Sequence, residues 1–381
     1  MAKPKTIKIL FTGGGTSGHF IPIIAVAREL QRLYIKPDLE LHYAGPRDEA
    51  SALQMAHENI KTHNLIAGKI RRYFSLQNIV DIVFKIPFSF AQSFWLVAII
   101  DPQLVFSKGG TGAVPVCLWA WLLGIPVFFH ESDSVPGLSN RVVYRWAKKA
   151  FISFEKTAYF DLSKAILVGN LVKKELAEGS PETARELLHI TFEKPVVLFL
   201  GGSQGAQPIN DFLMVALPEL LPKYEIIHVC GSKNFQQVQL ESQVVVPEEL
   251  AQYYHVYGSL NETELKHAYK AAGLAVSRAG AGSIFELALC GKPALLVPLP
   301  QAASDHQSKN AYEYAATGAA EVVEQENLMP HFLVGKLDYY FSRPELLQNM
   351  ADAALRFSKP LAAKAIAREI LEYLNVNEEK N

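Results

Sequence analysis

The sequence predicts an α/β protein made of two Rossmann-like β/α/β domains that face each other across a cleft. Short β-branched and aliphatic runs alternate with amphipathic stretches along the chain, which is typical of parallel sheets covered by helices. The length of 381 residues corresponds to two or three domains. Both halves also open alike, at residues 9–22 and 198–210, with an apolar strand followed by a glycine-rich turn and a helix.

The strands are predicted from short apolar runs bounded by turn residues. In the first half these runs are residues 7–12, 39–44, 62–66, 104–107, 127–130, 151–154 and 165–169. In the second half they are residues 196–200, 225–229, 255–257, 274–277, 294–297 and 320–323. Helical sequence then covers about 344–357 and 361–374. The alternation predicts one parallel sheet in each half of the chain.

Composition excludes several classes of protein. With 49% hydrophobic and 20% charged residues the chain is globular rather than disordered. The 37 basic residues balance 38 acidic ones, so there is no electrostatic footprint for nucleic acid and we expect no nucleic-acid partner. The 3 cysteines are far apart, which favours a reducing compartment. The N-terminus runs directly into a strand pattern without the apolar core of a signal peptide.

One uncharged segment, residues 109–129, has about the length needed to cross a bilayer. Glycines and prolines interrupt it, and they divide it into a turn, a short helix over about 116–123 and a strand from 126. We therefore expect a buried helix and a buried strand, not a transmembrane helix.

The first glycine turn admits a dinucleotide interpretation. Gly13, Gly15 and Gly18 fit the pattern G-x-G-x-x-G after a strand. A NAD site also needs an acidic residue at the tip of the second strand, and here that strand ends in residues 43–45, Tyr-Ala-Gly. An oxidoreductase is therefore the weakest of the functional alternatives.

Two further turns have chemistry suited to a nucleotide sugar. In the turn at 201–205 the glycines allow close approach to backbone N–H groups, Ser203 adds a hydroxyl, and a helix begins beyond it. A purely structural turn is the alternative there. Glu286 lies one turn into the helix after residues 277–283 and can accept hydrogen bonds from a ribose. Gln307 and Asn310 share a helix face suited to sugar hydroxyls, and Asp305 before them is either a helix N-cap or a ligand.

These blocks resemble the bacterial MurG glycosyltransferase family, which transfers N-acetylglucosamine from UDP to lipid I. The matching segments are GGGTSGH (13–19), RR (71–72), HESDSVPGLSNR (130–141), GGSQGAQPIN (201–210), SRAGAGSIFE (277–286) and DHQSKNA (305–311). The resemblance implies a GT-B fold whose C-terminal helix returns to the N-terminal domain. The expected domains are 1–163 with the helix 345–381, binding the acceptor at the membrane, and 164–344, binding the UDP-sugar.

The resemblance also implies which residues bind the donor, UDP-N-acetylglucosamine. Ser203 and Gln204 would contact the diphosphate, Glu286 the ribose, and Gln307 with Asn310 the sugar. The residues that would close over the nucleotide are Ala281, Gly282, Ser283 and Ile284.

On the acceptor side, the turn formed by Thr16, Ser17 and Gly18 would face the pyrophosphate of lipid I, with His19 as the candidate general base. Deprotonation of a sugar hydroxyl by His19 would give a single displacement with inversion of the anomeric centre. His19 as a turn residue with only a packing role is the alternative.

Four positions depart from the family pattern, all on the acceptor and sugar side. Ser17 replaces a glycine, Thr111 an aromatic residue, Asp133 an amide and Lys173 an arginine. Asp133 and Lys173 still count among the expected substrate-binding residues. We interpret the pair Glu131 and Asp133 as structural, and we expect neither a metal nor another cofactor. Helix N-termini, the Ser203 turn and Lys173 would instead stabilise the charge on the departing UDP.

A lipid acceptor implies contact with a membrane, at its cytoplasmic face. Basic and aromatic residues are mixed between Arg71 and Ile100, as on interfacial surfaces. We expect residues 73–88 to be the membrane segment and residues 82–100 to be partly core. His130, after an apolar run, is expected to be a buried hydrogen-bonding residue rather than a catalyst.

The leading hypothesis is an inverting UDP-N-acetylglucosamine transferase acting on lipid I. The alternatives are another UDP-sugar transferase with a glycolipid acceptor and a non-catalytic protein that binds nucleotide sugars. A UDP-sugar epimerase of related fold has less support, because we identify no set of catalytic carboxylates for it.

Overall fold

The computed structural model describes residues 6–14, 17–47, 49–66, 85–161, 163–202, 205–300 and 305–376. The chain divides into two compact units, Met1–Val172 with Leu361–Asn381, and Lys173–Pro360. Each unit contains one parallel sheet with helices between consecutive strands, so the predicted fold class is confirmed.

All strand pairs in both sheets are parallel. The first sheet has 7 strands in the order β3-β2-β1-β4-β5-β6-β7, and the second has 6 in the order β10-β9-β8-β11-β12-β13. The strands are β1 Ile7–Thr12, β2 Leu39–Pro46, β3 Ile60–Leu65, β4 Leu104–Ser107, β5 Val127–Glu131, β6 Lys149–Ile152, β7 Ala165–Leu167, β8 Val196–Leu200, β9 Glu225–Val229, β10 Tyr254–Tyr257, β11 Leu274–Ser277, β12 Ala294–Leu296 and β13 Ala320–Val322.

Helices cover the faces of the sheets. They are α1 Ser17–Leu33, α2 Glu49–His57, α3 Ile86–Ile100, α4 Ala113–Leu122, α5 Leu138–Val143, α6 Pro181–Leu188, α7 Gln207–Leu220, α8 Phe235–Val245, α9 Glu262–Ala271, α10 Ala281–Leu289, α11 His306–Ala315, α12 Pro330–Phe341, α13 Pro344–Phe357 and α14 Ala362–Tyr373. Because helices lie on both sides, the central strands are buried on both faces and are apolar almost throughout, as in β8, whose five residues are all buried.

Each sheet has one point where the strand order reverses, and glycine turns lie there. In the first sheet β1 is next to β4, with Thr12 opposite Ser107, so the turns that follow these two strands are neighbours. In the second sheet β8 is next to β11, with Leu200 opposite Ser277. Ligands of open α/β sheets bind at this position, outside the carboxyl ends of the strands.

The unit boundaries differ from the expected domain boundaries. The strand that we assigned to a domain beginning at residue 164 is β7, which pairs with β6 through Ile152 and Leu167 and so completes the first sheet. The expected C-terminal helix over 345–381 is two helices with different partners. α13 packs on α10 in the second unit, and only α14 packs on α1 in the first.

The long uncharged segment forms the short helix α4 followed by the buried strand β5, as predicted. Among the helices in the described ranges, none is long and apolar enough to cross a membrane.

Candidate functional site

The turn after β8 is shaped by three glycines with different roles. A Cβ on Gly201 would lie 2.7 Å from the Ala206 nitrogen, and one on Gly205 would lie 2.5 Å from the Cys230 oxygen, so packing requires glycine at both. Gly202 has φ +81°, and no described atom lies within 4 Å of where its Cβ would stand. The turn is therefore tightly packed underneath and open at Gly202. Ser203 and Gln204 lie outside the described residues.

A buried polar network fixes the start of α7 beneath this turn. The Asn210 amide donates to the Cys230 carbonyl at 3.0 Å, and its oxygen lies 3.0 Å from His228 Nε2. His228 Nδ1 lies 2.9 Å from the Tyr254 hydroxyl. Burial lowers the pKa of His228 to about 3, so the ring is neutral. Nε2–H then donates to Asn210 while Nδ1 accepts from Tyr254. Nothing in the sequence indicated this network.

The junction between β11 and α10 presents an open helix N-terminus. Gly280 is the N-cap residue, and no described atom lies within 4 Å of a Cβ placed at Gly280 or at Gly282. The side chains of Ala281 and Ile284 are buried, whereas Gly282 is exposed and Ser283 half-buried. Since the first N–H groups of a helix have no intrahelical acceptor, the Gly282 and Ser283 amides can bind an anion.

Glu286, the expected ribose contact, lies within the same helix and is half-buried. The Tyr269 hydroxyl donates to its Oε2 at 2.9 Å. Burial raises the pKa of Glu286, while the Tyr269 hydrogen bond and the charge of Lys173 act in the opposite direction. Lys173, expected to contact substrate, forms an ion pair with Glu262. Lys173 therefore acts on Glu286 electrostatically from within the second unit.

The helix α11 holds the two residues expected to bind the sugar. Gln307 uses its side-chain oxygen to accept from the Leu299 N–H at 3.0 Å, and Asn310 is fully buried one turn later. Asp305 occupies the N-cap position with φ +55°, but its side chain makes no capping hydrogen bond. Gln307 is thus the more accessible of the two amides.

Arg278 has a structural role that was not predicted from the sequence. It is buried, and its guanidinium donates to the carbonyls of Val297 and Pro298 at 3.2 and 3.1 Å and to Gln325 Oε1 at 2.7 Å. These bonds tie the end of β11 to the chain leaving β12. The signal in the sequence was an arginine directly after the apolar strand Leu274–Ser277.

In the first unit, two glycine turns touch at the carboxyl ends of β1 and β4. Gly110 has φ +92°, and a Cβ there would lie 2.8 Å from both the nitrogen and the Cα of Gly14. The Lys108 N–H bonds to the Thr12 carbonyl at 2.9 Å. Only glycine at 110 allows this contact.

The expected acceptor residues lie directly beyond the first of these turns. Thr16 is outside the described residues. Ser17 and His19 belong to the first turn of α1, without a description of their side chains, and Gly18 between them is exposed. Their roles stay predictions.

An ionic cluster lies beside the Gly109 turn, and it consists of the buried Lys108 and Glu131 and the half-buried Asp133. Lys108 and Glu131 are each only 3% exposed. Glu131 accepts from the Asp133 N–H at 3.0 Å and from the Asn140 amide at 2.9 Å, and the Lys108 ammonium donates to Ser132 Oγ. Burial and the charge of Asp133 raise the pKa of Glu131 to about 7, against the opposing charge of Lys108.

His130 is fully buried, and its Nε2 lies 2.9 Å from the Gly169 carbonyl. Burial and the charge of Lys108 hold its pKa well below the ordinary value. The prediction of a buried hydrogen-bonding residue is confirmed. Within the described part of the chain, no group of three or more His, Cys, Asp or Glu side chains is arranged to hold a metal ion.

We expect Glu131→Gln to remove a pH dependence of stability. Since burial raises the Glu131 pKa from 4.5 to about 7, the native protein binds this proton more tightly than the unfolded chain. Its contribution to the free energy of unfolding therefore falls as pH rises from about 4.5 to about 7, by on the order of 3 kcal/mol. Denaturant titrations of both proteins across this pH range measure the difference.

The exposed Glu345→Gln variant is the control and should parallel the wild type at every pH. The amide at 131 is tolerated because Asn140 Oδ1 is buried without a partner, so a flipped Asn140 can accept from it. Curves for Glu131→Gln and wild type that stay parallel across the pH range would contradict the raised pKa.

Comparison with known families gives matches in both units. Residues 9–152 match the glycosyltransferase family 28 N-terminal domain, and residues 196–366 match the glycosyltransferase family 28 C-terminal domain.

Two relatives have the same name, UDP-N-acetylglucosamine–N-acetylmuramyl-(pentapeptide) pyrophosphoryl-undecaprenol N-acetylglucosamine transferase. The one from Clostridium tetani is 37% identical over 352 residues, covering 92% of this chain and 94% of that protein. The one from Geobacillus kaustophilus is 36% identical over 354 residues, covering 91% and 94%.

Solved structures agree with these matches. MurG of Acinetobacter baumannii superposes with a TM-score of 0.73 at 26% identity, over 96% of this chain and 99% of that one. The S. aureus MnaA–UDP structure superposes with a TM-score of 0.70 at 14% identity, over 98% and 99%, and this likeness shows the fold alone.

Proposed function

We infer the activity from one premise: the chain belongs to glycosyltransferase family 28, within the bacterial MurG family. It is a hexosyltransferase that moves N-acetylglucosamine from UDP-N-acetylglucosamine to lipid I, the undecaprenyl-linked acceptor. The product is lipid II, in peptidoglycan synthesis.

One observation carries the donor half of this proposal. The second unit places the open Gly202 turn and the open N-terminus of α10 side by side at the strand-order reversal, with Glu286 one turn further along α10. Backbone amides at such a position favour a diphosphate, and a carboxylate beyond them can accept from ribose hydroxyls. This combination fits a nucleoside diphosphate.

The proposed chemistry is a single displacement at the anomeric carbon. His19 takes the proton of an acceptor hydroxyl, which attacks the sugar as UDP departs. The α10 amides, the Ser203 turn and Lys173 stabilise the negative charge that develops on the leaving diphosphate. Because one displacement occurs, the anomeric configuration inverts.

Product analysis tests the function. The protein is incubated with UDP-N-acetylglucosamine and a short-chain lipid I analogue, with omission of the acceptor as the control for hydrolysis. We expect the acceptor to gain one N-acetylglucosamine in inverted linkage and UDP to be released in equal amount. Release of UDP with another glycolipid, but none with the lipid I analogue, would favour the alternative acceptor. UDP binding without any product would favour a non-catalytic homologue.

Metal independence is a separate expectation. Since helix N-termini stabilise the leaving group, chelation with EDTA should leave turnover largely unchanged. Asp133 is the residue that could make the reaction depend on a metal, because a carboxylate near a diphosphate can recruit Mg²⁺. A wild-type enzyme inactivated by EDTA, alongside a chelator-resistant Asp133→Asn enzyme, would show that Asp133 recruits a cation.

We propose that the protein binds peripherally at the cytoplasmic face of the cell membrane, where a nucleotide donor and a lipid acceptor meet. Most of the expected segment 73–88 lies outside the described residues. The helix α3 follows it, and one side of α3 is buried, at Ser89, Ser93, Val97 and Ile100. This agrees with the expectation that residues 82–100 are partly core. Its other side exposes Trp95 (64%) and Ile99 (76%), and the end of α4, which packs on α3, exposes residues 121–123. We name this the α3–α4 surface.

Replacing Trp95 and Ile99 together by serine should weaken binding to vesicles containing anionic lipid roughly tenfold or more, because apolar burial is lost. Cosedimentation measures the bound fraction. The matched control is Val215→Ser with Val244→Ser, two exposed apolar residues of the second unit. Equal binding by both double variants would exclude the α3–α4 surface as the membrane contact.

A further inference from the structure

Lys108 is a buried cation directly beside the first unit's glycine turns. Its backbone N–H bonds to the end of β1, and Gly109 and Gly110 follow it immediately. A buried ammonium is costly unless it is paired. The Lys108 ammonium donates to Ser132, which the acidic residues Glu131 and Asp133 flank in the sequence, and the charges of both raise the pKa of Lys108 against the effect of burial.

The cluster is held in one arrangement by contacts from both sides. Lys108 donates to Ser132 Oγ, which lies between the two acidic residues. Glu131 is fixed by the Asn140 amide, and the Asn140 oxygen lies 2.6 Å from where a Cβ on Gly109 would stand. The glycine turn, Asn140 and the 131–133 loop are therefore packed as one piece.

The charge of Lys108, Glu131 and Asp133 affects anion binding because of where these residues lie in the fold. It lies at the strand-order reversal of the first sheet, where the Gly13–Gly14 turn leads into the N-terminus of α1. That position favours an anion, yet a carboxylate at 133 repels one. The ionised side chains of Lys108 and Asp133 together have no net charge, and without Lys108 the net charge at these two positions is −1.

We propose that Lys108 is a positioning residue whose charge offsets that of Asp133, so that the first unit accepts a diphosphate-bearing substrate. This inference rests on the proposed transfer to a diphosphate-linked acceptor. In this proposal the positive charge of Lys108 compensates the negative charge of Asp133 within the same unit. Lys108 acts through Asp133 and does not contact the substrate.

The decisive comparison uses variants without the carboxylate. In the Asp133→Asn background, adding Lys108→Met should change the KM for the lipid I analogue less than threefold, because no carboxylate at 133 is left to offset. In the wild-type background, Lys108→Met should raise that KM about tenfold with a smaller change in kcat. A tenfold effect is the size expected for one unit charge about 12 Å from an anion at an effective dielectric constant of about 20.

The outcomes separate the inference from the function it rests on. An equal rise in KM in both backgrounds would overturn the inference, since Lys108 would then act independently of Asp133. An unchanged KM in folded Lys108→Met would also overturn it. If Lys108→Met fails to fold, Lys108→Gln replaces it, because the amide keeps a hydrogen-bond donor for Ser132 Oγ while removing the charge. Its KM should rise in the wild-type background and not in Asp133→Asn, and any other pattern overturns the inference. Absent turnover in the wild type overturns the proposed function instead.

Discussion

Replacing His19 by alanine is expected to lower turnover by about 10²–10⁴-fold while leaving UDP binding intact. General-base catalysis by a positioned imidazole contributes a factor of this size. His19 lies in the first turn of α1, directly beyond the glycine turn of β1, and we expect the acceptor hydroxyl and its diphosphate to bind there. The measurement is kcat at saturating donor and acceptor, with UDP affinity from calorimetric titration.

A matched control comes from a histidine at the surface of the second unit. His331 is 91% exposed, and His331→Ala should keep wild-type turnover. If His19→Ala also turns over at nearly the wild-type rate with saturating substrates, His19 is a structural turn residue. Lost UDP affinity in His19→Ala would likewise be inconsistent with the base assignment.

Replacing Glu286 by alanine is expected to weaken UDP binding by about 1.5–3 kcal/mol, or roughly 10–150-fold in Kd, because a charged hydrogen bond to the ribose is lost. The substitution also removes the acceptor of the buried Tyr269 hydroxyl. Calorimetric titration with UDP should therefore be done in two backgrounds.

The second background is Tyr269→Phe, which eliminates that hydroxyl. If Glu286 contacts the ribose, Glu286→Ala should cost as much affinity in Tyr269→Phe as in the wild type. If the loss of affinity disappears in Tyr269→Phe, Glu286 acts only by keeping α9 and α10 in place. Unchanged affinity in both backgrounds would remove Glu286 from the ribose site.

Most strands could be predicted because they are buried on both faces, and their apolar runs therefore end where the strands end. β1, β4, β8, β9 and β11 have the bounds predicted for them. β6 was predicted two residues too late, since its register begins with Lys149 opposite Phe128 and a lysine does not read as part of an apolar run. The first domain boundary was misplaced because strand pairing, which assigns β7, leaves no local signal.

The same distinction applies to the candidate site, where positions set by local backbone geometry could be predicted and tertiary contacts could not. Glycine turns could be predicted because positive φ and close backbone contact restrict these positions to glycine. Lys108 could be recognised in the sequence as the charged residue that precedes the long uncharged segment 109–129, but its partners could not be predicted. Glu131 and Ser132 lie beside it because β4 and β5 are adjacent in the sheet, and that adjacency is a tertiary property.

The return of α14 to the first unit has a consequence for synthesis on the ribosome. α14 packs Ile366, Ile370 and Leu371 into the core that α1 shares with the first sheet. N-terminal domains ordinarily finish folding while later residues are still being made. Here the second unit leaves the ribosome before α14, the helix that completes the first unit. The first unit is therefore synthesised first but finishes folding last. During that interval the apolar side of α1 is uncovered, and the nascent chain is most exposed to aggregation.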